Sequence, residues 1–312
     1  MKVLIFGSSG LVGKSLERVL SKSTKVDELI CSTRNDTNLI DLSSTKEKIS
    51  NENPDLIIIA AAKVGGIYAN DTFRTEFILE NLKINMNIFE GCIEYPHINI
   101  INLGSSCIYP LNAKDPISET SFMKGTLEPT NSPYAMAKLS AIEIGRSISK
   151  EYGNKVINLM PTNLYGPNDN FSLENSHVIP GLIHRMHLAK NANEKEFKIW
   201  GSGKPLREFL FVDDLSNFIE SILDFKNIKY DLYNVGSGEE VSIIDLALLI
   251  KKIISFEGAI NTDISMPDGN PRKFLDSSRA NETGWKAKVK LEEGIKNTYE
   301  WFLNNLNNEI RT

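Results

Sequence analysis

The sequence predicts an α/β fold, a Rossmann-type doubly wound parallel sheet with a smaller C-terminal α/β lobe. Three observations predict it. Short β-branched runs ("KVLIF", "ELICS", "PDLIIIAAA") alternate with helix-period stretches through the first third of the chain. A glycine-spaced turn, "GSSGLVG" (7–13), stands between the first strand and the first helix. Beyond Pro161 the alternation loosens into Pro-, Asn- and Gly-rich loops joining short elements, as a second, smaller lobe would read.

Each element follows in order. "KVLIF" (2–6) is a buried parallel strand, "LVGKSLERVLSK" a helix by its apolar spacing, and "ELICS" a second strand. Residues 43–52 are polar and helical, and "PDLIIIAAA" (54–62) is the third strand. A long helix is predicted from about Thr72 to Tyr95, then the fourth strand, "NIINLG". After a loop at 105–130, "SPYAMAKLSAIEIGRSISKEYG" is a helix with Pro133 in its first turn, where no amide donor is needed. "KVINLM" is a strand, and a closing helix covers 292–306. The pattern divides the chain into a dinucleotide-binding domain over 1–164, to which roughly 196–224 crosses back, and a lobe over 165–195 and 225–312.

Composition bounds the function. A chain of 312 residues, 41% hydrophobic and 24% charged, is too apolar for disorder. A net charge of −5 argues against nucleic acid as a partner but leaves room for a local basic pocket. Three cysteines, Cys31, Cys92 and Cys107, are odd in number and far apart, so a reducing cytoplasm without a disulfide framework is expected. No apolar run is long enough for a membrane span, and the N-terminus lacks the apolar region of a signal peptide.

The glycine turn carries the first chemistry. Gly7 permits the tight turn, Gly10 lets the backbone approach a pyrophosphate, and Gly13 lets the helix lie close to the strand. The helix N-terminus then offers oriented N–H groups to phosphate. An NAD site usually places an acid after the second strand for the ribose 2′-hydroxyl. Here "CSTRN" puts Arg34 there and no acid before Asp36, which favours NADP, with Asp41 and Leu42 near the adenine edge. "SPYAMAKLS" sets Tyr134 and Lys138 four apart on one helix face, so the ammonium lies near the phenol and is expected to lower its pKa. Ser105, at the end of the fourth strand, adds a hydroxyl for the substrate oxygen. Together with the glycine turn this is a hydride-transfer set. His184 and His187 lack acid or thiol partners in sequence and read as ordinary helix residues, so no metal is expected. Cys31 and Cys92 read as packing residues.

Seven strings in order, "AAKVGGIYAN", "LGSSCIYP", "GTLEPTNSPYAMAK", "MPTNLYGPNDNF", "ENSHVIP", "WGSGKPLREFLFVDD" and "PDGNPRKFLD", resemble the GDP-L-fucose synthases, extended short-chain dehydrogenases with 3,5-epimerase and 4-reductase activity. The resemblance implies NADP(H) as cofactor and a GDP-4-keto-6-deoxy-sugar as substrate, the mannose derivative first and a heptose second. It implies Cys107 as the epimerisation base and His177 as the acid, with Ser105, Tyr134 and Lys138 stabilising the enolate and serving reduction. Cofactor contacts would come from Gly7, Ser8, Ser9, Gly10, Leu11, Val12 and Gly13, then Arg34, Asp41 and Leu42. Leu103, Gly104, Ser105 and Ser106 would follow, then Tyr134, Lys138, Pro161, Thr162, Asn163, Leu164 and His177. Substrate would meet Ser105, Cys107 and Asn163, and its nucleotide Arg185, Trp200, Arg207, Asp268 and Lys273. A catalytically silent nucleotide-sugar-binding protein is the alternative from another class, and it should have lost one of Ser105, Cys107, Tyr134 or Lys138; none is lost. One departure stands out: the resembling bacterial enzymes often carry a cation inside the glycine turn, where this chain has Ser8 and Ser9. The family also implies a homodimer through a four-helix seam, here expected to use Phe77, Ile78, Ile84, Ile88, Ile142 and Ile148.

Overall fold

The computed structural model describes residues 1–306 apart from 227 and 267, so the last six residues of the expected C-terminal lobe lie outside the described residues. In chain order the first half runs β1 (Lys2–Phe6), α1 (Leu11–Leu20), β2 (Glu28–Ser32), α2 (Leu42–Glu52), β3 (Leu56–Ile59), α3 (Ile67–Thr72), α4 (Arg74–Cys92), β4 (Asn99–Leu103), α5 (Ser132–Glu151) and β5 (Val156–Pro161). The second half runs β6 (Asn163–Tyr165), α6 (Val178–Asn191), β7 (Glu196–Trp200), β8 (Leu206–Phe211), α7 (Val212–Ser221), β9 (Leu232–Val235), β10 (Glu240–Ser242) and α8 (Ile243–Ile254). It ends with β11 (Ala259–Asp263), β12 (Arg272–Lys273), α9 (Ser278–Asn281) and α10 (Leu291–Asn305).

A six-stranded parallel sheet in the order β2-β1-β3-β4-β5-β9 forms the centre. Its strands are covered on both faces, which is why they are written as continuous Ile, Leu and Val runs rather than alternating ones. One face packs Val3, Ile5, Leu16, Ile58 and Ile101 against Leu215, Phe218 and Ile219 of α7. The other packs Leu4, Phe6, Ile57 and Ile100 against Ile84, Ile88 and Phe89 of α4 and Ala141 of α5. A separate cluster built on Tyr165, Phe171, Phe197, Phe211, Ile250 and Phe302 forms the core of the second lobe.

The structure departs from expectation in four places. The predicted 72–95 helix is α4, and an unexpected short helix, α3, precedes it, divided from it by Phe73 (φ −103°, ψ 39°). Its strand neighbour is shorter than 54–62, since β3 stops at Ile59. The expected crossing segment is also shifted along the chain. β7 pairs with β11 in the second lobe, whereas β9, placed in the lobe by its sequence, hydrogen-bonds to β5 in the central sheet. Last, five of the six residues expected at a dimer seam (Phe77, Ile84, Ile88, Ile142 and Ile148) are at most 6% exposed within the single chain, and Ile78 is half-buried. They fill the chain's own core, because α4 and α5 lie against each other and against the sheet. Among the described residues no helix is long and apolar enough to cross a membrane.

Candidate active site

The glycine turn is clamped to both neighbouring strands. Gly7 and Ser8 donate their N–H groups to the Ser32 carbonyl at 3.0 and 3.1 Å, which holds the residues after β2 beside the turn. Gly7 has φ +86°, and a Cβ there would lie 2.5 Å from the Ala61 nitrogen. A Cβ at Gly13 would run into the Gly7 carbonyl and Ser8. Gly10 caps α1 without any side-chain hydrogen bond, so the helix start is bare backbone. Arg34 is exposed beside this turn, while the Asp36 carboxylate is occupied by the Thr33 N–H at 2.8 Å and hydroxyl at 2.6 Å. Asp41 caps α2, accepting from the Ser44 N–H at 2.9 Å, with Leu42 next to it half-buried.

The chemical groups converge where β4 meets α5. Lys138 is only 2% exposed and donates to the Leu103 carbonyl at 2.7 Å; its Nζ lies 5.8 Å from the Tyr134 ring centroid. Gly104 then turns the chain over Met160, and Ser105 Oγ accepts the Cys107 N–H at 3.3 Å at the start of a short 3-10 turn. The Tyr134 ring meets Phe77 edge-on at 6.4 Å. Phe77 in turn lies against the 65–66 loop, and that loop approaches Ser176, beside His177. His177 stands at the head of α6 with its side chain partly reached by solvent, and desolvation lowers its pKa.

The electrostatics reverse one expectation. Burial lowers Lys138 to about 8 from 10.5. The Tyr134 phenol is raised, first by desolvation and then by the charge of Cys107, rather than lowered by the lysine. The ammonium spends its hydrogen bond on a main-chain carbonyl, and burial outweighs the attraction across the ring. A phenol kept protonated is a proton donor, the state a ketone reduction uses.

Asn163 and Thr162 both donate to the Glu208 carbonyl, at 2.8 and 3.0 Å, next to Pro161 at the end of β5 and Leu164 in β6. The buried Glu208 carboxylate takes the N–H groups of Gly238 and Leu275 at 2.8 and 3.2 Å. Beyond it lies a basic wall. Arg207 pairs in register with Lys273 of β12, and Asp268 accepts the Ser202 N–H and hydroxyl at 2.6 and 2.8 Å in the turn after Trp200. Arg185 lies 5.2 Å from the Phe197 ring and 5.8 Å from the Trp200 ring, and Trp200 is 56% exposed. Burial lowers the pKa of both arginines, and Asp268 partly offsets this at Arg207. Each finds a main-chain acceptor among the described residues, Gly181 at 3.4 Å and Leu206 at 2.8 Å.

His184 and His187 are spent on structure, at the Phe171 carbonyl (2.7 Å) and the Tyr299 hydroxyl (3.0 Å). Cys92 is fully buried and pushed up to about 12; Cys31 is half-buried. Two features escaped the sequence reading. Asn131 looks like a helix cap, yet its side chain makes no cap bond and reaches Cys107 instead, Nδ2 to Sγ 3.7 Å. Tyr109, in the same short string as Cys107, donates to Asn234 Oδ1 at 2.5 Å, and the Asn234 N–H goes to buried Glu119 at 2.8 Å. The string "TNSPY" held the only sequence signal for the first, and nothing local signalled the second.

Residues 3–236 match the NAD dependent epimerase/dehydratase family. A probable GDP-L-fucose synthase 1 of Oryza sativa subsp. japonica is 44% identical over 98% of this chain and 93% of its own length. The GDP-L-fucose synthase of Escherichia coli (strain K12) is 42% identical over 97% of each chain. The crystal structure of a GDP-L-fucose synthetase from Naegleria fowleri bound to NADP superposes with a TM-score of 0.90 at 30% identity, covering 99% of this chain and 94% of that one.

The Lys138 environment sets a measurable slope. Its ammonium binds protons more weakly folded than unfolded, so stability is lowest below pH 8 and rises as pH climbs from about 8 to 10.5. In urea titrations across that window, wild type should gain on Lys138→Met by about 1–3 kcal/mol. A gap that stays constant with pH would mean that the buried ammonium is not destabilised.

Proposed function

The chain belongs to the NAD dependent epimerase/dehydratase family, and from that premise we propose that it converts GDP-4-keto-6-deoxy-D-mannose to GDP-L-fucose, by epimerisation at C3 and C5 followed by NADPH-dependent reduction at C4. The observation that carries this reading is the meeting of a thiol with a reductase pair. Cys107 lies close enough for its charge to act on the Tyr134 phenol, and Ser105 holds its main chain.

The residues fit the cofactor. The start of α1 behind Gly7, Gly10 and Gly13 offers main-chain N–H groups to phosphate, in a turn so tight that a Cβ at Gly7 or Gly13 would strike main-chain atoms. Arg34 is free to pair with a 2′-phosphate, and the one nearby acid, Asp36, is already engaged by Thr33. That compensates for the missing cation at Ser8 and Ser9. NADPH, when bound, supplies the hydride for C4.

The chain's own groups do the rest. Protons at C3 and C5 are acidic because the carbanion delocalises onto the C4 oxygen. Cys107 removes each proton as thiolate, and His177, across the cleft, returns one to the opposite ring face. The Ser105 and Tyr134 hydroxyls stabilise the enolate oxygen, with Lys138 behind the phenol. After epimerisation Tyr134 gives its proton to the C4 oxygen. Arg185, Arg207 and Lys273 bind the diphosphate, Trp200 offers an exposed face to the purine, and Asp268 orders the turn beside it. Asn163 lines the sugar side.

Assembly is part of the same reading. Two copies pair through the outer faces of α4 and α5 in a four-helix seam, supported by Leu79, Met86 and Met136, which are 48%, 49% and 46% exposed. The free thiols suit the cytoplasm.

Three measurements test this. Incubated with substrate in D2O, Cys107→Ser should lose deuterium incorporation at C3 and C5 by roughly 10²-fold or more. Tyr134→Phe should instead lose reduction while exchange persists. Wild-type exchange in Cys107→Ser would make that thiol a packing residue. For the cofactor, Arg34→Ala should weaken NADPH by about tenfold or more and leave NADH little changed, because a charge-assisted bond to phosphate contributes about 1.5–3 kcal/mol. Equal losses would remove the basis for NADP preference. For assembly, light scattering at micromolar concentration should give twice the chain mass, and Met86→Asp should give monomers; a monomeric wild type excludes the seam.

A further inference from the structure

We propose that Asn131 is the positioning residue of the Cys107 thiol, its side-chain amide donating N–H to Sγ and stabilising the sulfur when it is negatively charged. The inference rests on the proposed role of Cys107 as base.

Four observations carry it. The Asn131 Nδ2 lies 3.7 Å from Sγ. Asn131 occupies the residue before α5, where asparagine normally accepts a hydrogen bond from the first turn, yet it makes no such bond. Its Oδ1 is buried without a partner, so the amide is not anchored from that side. Its main chain, by contrast, is held firmly: the Asn131 N–H goes to Glu128 Oε2 at 3.1 Å, and the same oxygen takes the Thr130 hydroxyl at 2.6 Å. A loop clasped at 128–131 presents the amide to the sulfur, while Ser105 Oγ fixes the Cys107 main chain from the other side.

The physical consequence is direct. A donor on the charged form of an acid favours that form, and a bond to an ionised sulfur is stronger than one to a neutral thiol. The other ionisable groups around this pair are Tyr134, whose phenol feels the Cys107 charge, Lys138 behind that ring, and Glu128, already engaged by Asn131 and Thr130. His177 stands apart at the head of α6. Of these, Tyr134 and Lys138 also serve reduction, so Asn131 is the group through which the thiolate can be tuned without touching the hydride step.

The test reads the sulfur itself. Alkylation of Cys107 by iodoacetamide is followed by peptide mass spectrometry, which separates it from Cys31 and Cys92. Asn131→Ala should react about tenfold more slowly than wild type near pH 7 and within about twofold of it near pH 9.5, where most thiols are ionised anyway. Asn131→Asp keeps the shape but puts an acceptor against the sulfur, and should be slower still near pH 7. Neither variant removes a cap bond, so both should melt close to wild type. Deuterium incorporation at C5 of the substrate should fall in parallel. An Asn131→Ala protein alkylated at the wild-type rate at both pH values, or faster, overturns the proposal. If wild type itself exchanges no deuterium while the alkylation order holds, the reaction assigned above fails and the Asn131–Cys107 bond stands.

Discussion

The bond from the Lys138 ammonium to the Leu103 carbonyl, 2.7 Å long and buried, is the constraint around which the site is arranged. It pins α5 to the last residue of β4. Tyr134 lies one turn before Lys138, and Gly104, Ser105 and Cys107 follow directly after Leu103. Burying an ammonium is costly, and the depressed pKa of Lys138 records that cost. What the cost secures is a fixed relation between a phenol on a helix and the turn after β4 that carries the thiol. A site built on regular elements in this way holds its geometry better than one built on loops alone.

A second buried group joins the lobes. Glu208 accepts side chains from Thr162 and Asn163 with its carbonyl and main-chain N–H groups from Gly238 and Leu275 with its carboxylate. Those four residues come from the end of β5, the start of β6, the loop after β9 and the loop after β12. The end of β5, the start of β6 and the loops after β9 and β12 are therefore joined in one hydrogen-bonded unit. Burial raises the Glu208 pKa, and the main-chain donors oppose that rise.

Local rules carried the reading a long way. The glycine turn, the YxxxK helix and β2 stand where the sequence put them, because each depends on neighbours a few residues away. Arg185 meets Trp200 and Arg207 pairs with Lys273, though these residues come from three separate strings whose pairing no periodicity reveals. Two of the failures are non-local. Nothing in "LYNV" tells a strand which sheet it joins, and β9 joins the central one. Apolar residues on α4 and α5 look surplus until the two helices are seen to lie together. The Tyr134 expectation failed for a different reason. Spacing puts the lysine near the phenol, but burial, which decides the sign, is a property of the whole fold.

The two walls of the cleft differ in how tightly they are tied down. On the sheet side, a methyl at Gly104 would displace buried Met160, and Lys138 is buried against the Leu103 carbonyl. On the His177 side, the loops approach each other at Gly66 and Ser176 and carry Val64, Tyr68, Leu173 and Val178, all exposed and apolar. Mutations there neither open a cavity nor strand a buried charge. Change at those exposed positions therefore costs the packing little, whereas change at Gly104 or Lys138 must be absorbed by the buried sheet.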